Sequence, residues 1–291
     1  MKKNRGLISL TVIIAILVGG FAYYNGSLLR TSVRHQQAKN APTVGTPTFF
    51  FHGYGSSYHA EEYMVNGAIK EGLLKKDDVL IAHVRPSGKV TISSKWKAHV
   101  AHPVVEVNYD NPRVGNRHTD ARWARNVIVS VQNRYRFKKV NLVGHSMGNQ
   151  DIAFYLLYYY RQDKQLPRLN KQVALAGPFN GLVMDDDNKN NDRVDKNGKP
   201  NNMQKQYKEL LSLRDFYPRS AEVLNVYGNK GHGTDGDLTI QSAQSLRYLL
   251  NNRPKSYQEK EMHGKYASHS RLHHNDDVNA LLYNFLWNHA V

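Results

Sequence analysis

Apolar and polar positions along this chain fall into blocks whose period switches repeatedly between that of a buried strand and that of a helix. Thr48-Phe49-Phe50-Phe51 is a short, fully apolar run that ends at His52-Gly53 and predicts a buried strand. Residues 59–72 read as a helix, followed by a turn over 75–78. Residues 79–85 and 90–96 flank Pro86-Ser87-Gly88-Lys89 and read as a hairpin or two short strands. A strand over 103–108 and a polar turn lead to a helix capped by Thr119 or Asp120 and running to about Tyr135. Further strands are predicted over 139–143, 171–176, 223–227 and 257–262. Helices are predicted over 148–161, 242–250 and 277–287. Residues 185–202 are rich in Asp, Asn and Lys, have no period, and read as an exposed insertion. Strands that alternate with helices predict an α/β fold, with a mostly parallel sheet covered on both faces.

Ahead of these blocks stands a different pattern. Lys2, Lys3 and Arg5 precede an apolar run from Leu7 to Tyr24 with no charge inside it. A run of about 20 such residues is long enough to cross a bilayer. The positive-inside rule puts the first residues in the cytoplasm and the rest outside. Gly19-Gly20-Phe21-Ala22 is a poor cleavage site, which favours an uncleaved anchor over a signal peptide. The expected organisation is an anchor or signal segment over 1–24, an extracytoplasmic tether over 25–46 and one globular domain over 47–291, held at the membrane or secreted.

Composition narrows the chemistry. The 291 residues contain no cysteine, which excludes disulfides, thiolate catalysis and Cys-ligated metal centres. Lys and Arg exceed Asp and Glu by 40 to 24, a formal charge of +16. That excess permits weak association with an anionic membrane or wall polymer. It does not indicate nucleic acid, because no recognition motif accompanies it.

The sharpest motif is Gly144-His145-Ser146-Met147-Gly148, a G-x-S-x-G turn between an apolar strand and an apolar helix. In that context Ser146 is the expected nucleophile. The backbone N–H groups of Met147 and of Tyr54, in the loop His52-Gly53-Tyr54-Gly55, are the expected oxyanion donors, and His52 is expected to organise that loop. The base and acid are less determined. Of His232, His263, His269, His273 and His274, the last three fall between the last strand and the final helix, where the base belongs. His269 is preferred over His273 because it lies nine residues before Val278, clear of the helix. Asp235 and Asp237 both follow the strand over 223–227, and Asp235 is preferred because Gly236 frees its turn. No metal or cofactor is needed. Asp185, Asp186, Asp187, Asp192 and Asp195 miss the spacing of a calcium loop. Phe179, Leu182, Val183 and Met184 are candidates for an acyl groove under a lid over 177–217, or for plain core.

Together, Phe51-His52-Gly53, the Ser146 turn, Thr234-Asp235-Gly236 with Ser242-Ala243, and His269-Ser270 through Leu272-His273 to Phe285-Leu286-Trp287 resemble the α/β-hydrolase superfamily. More closely, they resemble the DUF915 family of candidate cell-surface hydrolases from Firmicutes. The resemblance implies an α/β-hydrolase fold and the triad Ser146, Asp235 and His269. His274 stands where that family commonly has an acidic residue. It implies a reaction class, hydrolysis of a small-molecule or lipid ester by an esterase- or lipase-like enzyme, rather than a substrate. The competing expectation is a non-catalytic module on the same fold that binds anionic polymers.

Overall fold

The structure, a computed structural model, describes residues 32–183 and 193–289. The apolar run over 7–24 and the first residues of the expected tether lie outside the described residues. So do Met184, Asp185, Asp186, Asp187 and Asp192. Among the described residues no helix is long and apolar enough to cross a membrane.

Eight strands form one sheet in the order β3-β2-β4-β1-β5-β6-β7-β8. They are β1 (Thr48–Phe51), β2 (Val79–Val84), β3 (Val90–Ile92), β4 (Val104–Tyr109), β5 (Lys139–His145), β6 (Arg168–Leu175), β7 (Glu222–Asn229) and β8 (Ser256–His263). All neighbours are parallel except β3, which pairs antiparallel with β2 at one edge. The all-apolar β1 lies in the middle, where both of its faces are covered and every residue is buried. β8, at the other edge, carries Glu259, Lys260 and Glu261, charges that discourage pairing with another chain.

Eight α-helices accompany the sheet: α1 (Glu62–Lys70), α2 (Arg117–Arg134), α3 (Met147–Tyr155), α4 (Lys205–Leu210), α5 (Leu213–Phe216), α6 (Ile240–Gln244), α7 (Leu246–Leu250) and α8 (Asp276–Trp287) among the described residues. Met64, Val65 and Ala68 of α1 pack with Val278, Leu282 and Leu286 of α8 and with Phe50 on one face. Trp123, Val127 and Val131 of α2 pack with Ile152 and Phe154 of α3 and with Phe49 and Phe51 on the other. This is the mostly parallel sheet, covered on both faces, that the alternating pattern predicts, and the α/β-hydrolase architecture that the resemblance implies. β1 sits between β4 and β5, and the chain fills the sheet to one side of it before β5 and to the other side after. The crevice beyond the carboxyl ends of β1 and β5 is therefore the topological switch point.

Several element boundaries move for local reasons. α2 starts before Thr119 because the Asn116 side chain accepts the Thr119 N–H, so Asn116 is the cap and Asp120 is carried into the core. The segment 90–96 leaves the sheet after Ile92. Trp96 turns inward, its backbone N–H donating to the Tyr135 hydroxyl and its indole N–H to the Asp78 carbonyl. The helix over 242–250 breaks at Ser245, whose hydroxyl donates back to the Ser242 carbonyl. α4 and α5 fall in the segment considered as a lid, but Tyr207, Leu210, Leu213 and Tyr217 are buried in the main core. Packed structure also begins ahead of residue 47. In the expected tether, Ala38 and Val44 donate backbone hydrogen bonds to Asn133 and Arg136, and Ala41 and Val44 are buried.

Two carboxyls are buried on the α1 face. Glu61 and Glu106 are 1% and 4% exposed, and among the described residues neither Glu61 oxygen has a hydrogen-bond partner. Burial raises both to about 8, helped by repulsion from Glu106 on Glu61 and from Glu62 on Glu106. A folded value above the ordinary 4.5 means that the neutral carboxyls stabilise the fold fully below about 4.5. That contribution is lost as pH rises through about 8. The wild-type chain is therefore expected to lose at least ~2 kcal/mol of unfolding free energy between about pH 5 and about pH 9 through this pair. Glu61→Gln and Glu106→Gln should each flatten that fall in urea titrations. Slopes identical to wild type in both variants would refute it.

Candidate active site

The G-x-S-x-G turn is built by close packing. An added Cβ at Gly144 would stand 2.7 Å from the Asn149 nitrogen, and one at Gly148 would stand 2.1 Å from the Phe51 carbonyl oxygen. Only glycine lets β5 turn this sharply into α3 against β1. Ser146 sits at the apex with φ 52° and ψ −123°, a conformation that a side chain adopts only under strain. The turn is held from below. The Ser146 N–H donates to the Leu175 carbonyl at 3.0 Å, and the Asn149 amide donates to the Leu175 and Ser146 carbonyls at 2.9 and 3.2 Å.

His269 reaches this serine from the loop between β8 and α8, here a 3₁₀ turn over His269–His274. Its Nε2 lies 2.8 Å from Ser146 Oγ and its Nδ1 lies 2.8 Å from Asp235 Oδ2. Asp235 is 2% exposed. Its other oxygen accepts the backbone N–H groups of Asp237 and Leu238 at 2.9 and 3.0 Å, and its carbonyl accepts the His269 N–H. Since a carboxylate only accepts, Nδ1 carries the proton and Nε2 presents its lone pair to the serine hydroxyl. Asp237 is instead exposed at the rim, with an oxygen 3.9 Å from His269 Nε2. Of the other histidines weighed from sequence, His232 and His263 are exposed and His274 lies outside the cleft, bonded to His273. His273 lines the cleft but packs on His145, with ring centres 4.5 Å apart, rather than bonding Ser146.

The surrounding imidazoles are neutral. Burial drives His145 well below its ordinary range and His273 down to about 4, and it lowers His52. His145 Nε2 donates to the His269 carbonyl at 3.0 Å, which braces the loop that carries His269. His52 Nε2 accepts the Tyr109 N–H at 3.2 Å, so its Nδ1 is the donor to the Gly53 carbonyl at 2.8 Å. In a planar trans peptide the N–H points opposite to the carbonyl. Fixing the Gly53 carbonyl thus fixes the direction of the Tyr54 N–H. The Gly53 backbone also lies close to Ser146, with an added Cβ 3.1 Å from the serine Cβ.

Two adjoining lobes open on Ser146. One, of about 480 Å³, lies on the His269 side and includes Leu182, Val183 and Asp237. The other, of about 440 Å³, lies over the start of α3 and includes Met147, Gln150 and Arg117. Tyr54 and Leu182 border both. Of the groove candidates, Leu182 and Val183 line the first lobe, whereas Phe179 is fully buried core. Asp195 uses its carboxylate to accept the N–H groups of Asn197 and Lys199, closing its own turn. Among the described residues no cluster of three His, Cys, Asp or Glu side chains is arranged to hold a metal. Three structural residues escaped the sequence reading: Asn149, His145 as a brace, and Arg117. The one available signal was a polar Asn on the otherwise apolar side of α3.

The family model "Alpha/beta hydrolase of unknown function (DUF915)" matches residues 35–289. No curated protein matches the chain. Among solved structures, the product of the gene lin2722 of Listeria innocua is similar over 85% of this chain and 96% of its own. Its TM-score is 0.75 at 24% identity. A candidate cell surface hydrolase of Lactobacillus plantarum WCFS1 is similar over 85% of this chain and 93% of its own, with a TM-score of 0.69 at 21% identity. The chain belongs to the DUF915 family.

Proposed function

Because this chain is a DUF915 α/β hydrolase, we propose that it is an extracytoplasmic serine hydrolase that cleaves carboxylic esters through an acyl-enzyme. The observation that carries the proposal is the unbroken chain of contacts Ser146–His269–Asp235, 2.8 Å at each link, at the mouth of an open cleft. Ser146 Oγ attacks the ester carbonyl while His269 Nε2 takes its proton. Asp235 holds the tautomer and offsets the charge of the imidazolium. The N–H groups of Tyr54 and Met147 receive the oxyanion, the first aimed by the His52 hold on Gly53. The protonated His269 then gives its proton to the leaving alcohol. A water, deprotonated by the same nitrogen, releases the acid and restores Ser146.

For location, the reading rests on the sequence over 1–31, with its basic start and apolar run, and on the net charge. The cell-surface description of the Lactobacillus plantarum protein accords with it. The domain is held outside the membrane by an anchor or released after cleavage. Packing starts soon after residue 32, so little of the expected tether is left free. Exposed Lys39, Arg136, Lys138, Lys139 and Arg168, which cluster at the start of β5 and β6, are the surface best suited to weak contact with anionic membrane or wall polymers.

The test uses the full-length chain in detergent with p-nitrophenyl esters from acetate to palmitate and a fluorophosphonate probe. Turnover of at least one ester and covalent labelling at Ser146, both absent in Ser146→Ala, are expected. Neither turnover nor labelling would sink the enzyme reading and favour the binding module.

A further inference from the structure

The two lobes beside Ser146 differ in charge, and the difference follows the two halves of an ester. The leaving alcohol must take its proton from His269 Nε2, so it departs through the lobe that His269 lines. The acyl group, still bonded to Ser146, is left in the lobe over α3. At the leaving-group side the rim carries Asp237, 3.9 Å from His269 Nε2. At the acyl side the wall carries Arg117, the first residue of α2, partly buried, with its guanidinium 5.5 Å above the Phe154 ring. One Arg117 N–H meets the Gln206 side-chain oxygen at 3.3 Å. No acid lies within ion-pair distance of it among the described residues. The nearby Glu209 accepts the Tyr158 hydroxyl instead. Outside both linings, Arg113 Nε stands 3.5 Å from where a Cβ of Gly55 would be, and Lys230 Nζ stands 3.5 Å from the corresponding point at Gly236 on the His269 side, so Arg117 is the cation that lines a lobe among the described residues. Gln150 and Gln204 complete the wall with neutral polar groups.

We propose that the acyl-side lobe selects esters whose acyl half carries its own carboxylate, and that Arg117 is the group that binds it. This rests on the serine-hydrolase reading of Ser146 and names its substrate class: half-esters of short dicarboxylic acids. The guanidinium has N–H donors to spare, and an Arg fork matches a carboxylate with two parallel hydrogen bonds. A partly buried position in the lobe that opens on Ser146 strengthens that attraction relative to open water. Among the described residues the opposite lobe has no arginine in its lining, so it offers no matching fork for the reverse placement, with the carboxylate toward the leaving group. The reaction balances as ordinary hydrolysis. The ester C–O bond breaks, the alcohol leaves with the His269 proton, and water adds to the acyl-enzyme to give a dicarboxylate.

The experiment compares p-nitrophenyl hydrogen glutarate with its methyl ester, p-nitrophenyl methyl glutarate, on the full-length chain. The two differ at the far end by the charge and one methyl group, and the uncatalysed release from each, faster for the ester whose own carboxylate can attack it, is subtracted. Wild type is expected to show kcat/KM about tenfold or more in favour of the charged ester, as charge-assisted hydrogen bonds of this kind supply. Arg117→Gln should bring the ratio to about one, and Arg117→Lys should hold an intermediate value. Each ratio is read on a single preparation, so a partly unfolded variant does not disturb it. Equal rates for the two esters in wild type, or a ratio unchanged in Arg117→Gln, would overturn the assignment of Arg117 and leave the hydrolase reading standing. No turnover of either ester together with no fluorophosphonate labelling would overturn both.

Discussion

Replacing Asp235 with Asn is expected to lower kcat by about 10⁴-fold while KM moves little. The reason lies in which atom carries the proton. With Asp235 in place, His269 Nδ1–H donates to Oδ2 at 2.8 Å, and Nε2 is left as the acceptor for the Ser146 hydroxyl. The Asn amide has one oxygen and one NH₂ group. The oxygen at the Oδ1 position is already claimed by the N–H groups of Asp237 and Leu238. The NH₂ group therefore faces Nδ1, which must become the acceptor, and Nε2 then carries a hydrogen toward Ser146. A protonated Nε2 cannot take the serine proton, and the imidazolium that forms during the reaction loses its counter-charge. The fold should survive, since size and backbone contacts are kept, and both lobes keep their lining. Steady-state kinetics on the best p-nitrophenyl ester, with circular dichroism as a fold check, decides the matter. A loss of less than tenfold in a folded variant would mean that Asp235 does not set the tautomer.

Gly148→Ala is the substitution expected to cost most in stability, at least about 3 kcal/mol. The added methyl would lie 2.1 Å from the Phe51 carbonyl oxygen, 2.7 Å from its carbon and 2.9 Å from the Phe51 Cβ. None of these can give way cheaply. Phe51 is the last residue of the central strand, buried on both faces and paired with both β4 and β5. Relief requires α3 to lift from β1, which would also move Ser146 away from His269. Gly72→Ala is the control. Its φ is positive, 74°, unlike that of the helical Gly148, but nothing lies within 4 Å of an added Cβ, so only backbone strain of about 1 kcal/mol is expected. Urea unfolding followed by far-UV circular dichroism compares the two. A Gly148→Ala chain within about 1 kcal/mol of wild type would show that this contact is not needed to hold the nucleophile turn.

Most of the sheet was readable from the sequence because its signals are local. The run Thr48–Phe51 has no polar side and is the middle strand. The strand over 256–263, with the charged run Glu259–Glu261, admits one buried face at most and is the edge strand. Boundaries shifted where one side chain chose between local partners, as Asn116 did in capping α2 and Ser245 did in breaking the helix over 242–250. α4 and α5 were missed because each is too short to show a helical period, and long-range burial of Tyr207 and Leu213 holds them in place.

The turn that carries Ser146 was legible in the sequence alone. A strand, a turn with glycines on either side of a serine, and a helix impose their geometry within a few residues, and little else fits there. The partners of that serine were not determined in the same way. His269 and His273 lie four residues apart on one 3₁₀ turn, and Asp235 and Asp237 lie two apart on one loop, so spacing only ranks them. The tertiary structure separates them. Packing of His273 on His145, and capture of the Asp235 carboxylate by two backbone N–H groups, leave one histidine and one aspartate aligned with Ser146. The same holds for His52, whose grip on the Gly53 carbonyl depends on Tyr109, and for Arg117, which meets the cleft only because α2 and α3 pack side by side. Local backbone conformation is written in neighbouring residues. The convergence of side chains from separate loops is set by strand order and core packing, and a single sequence does not display those directly.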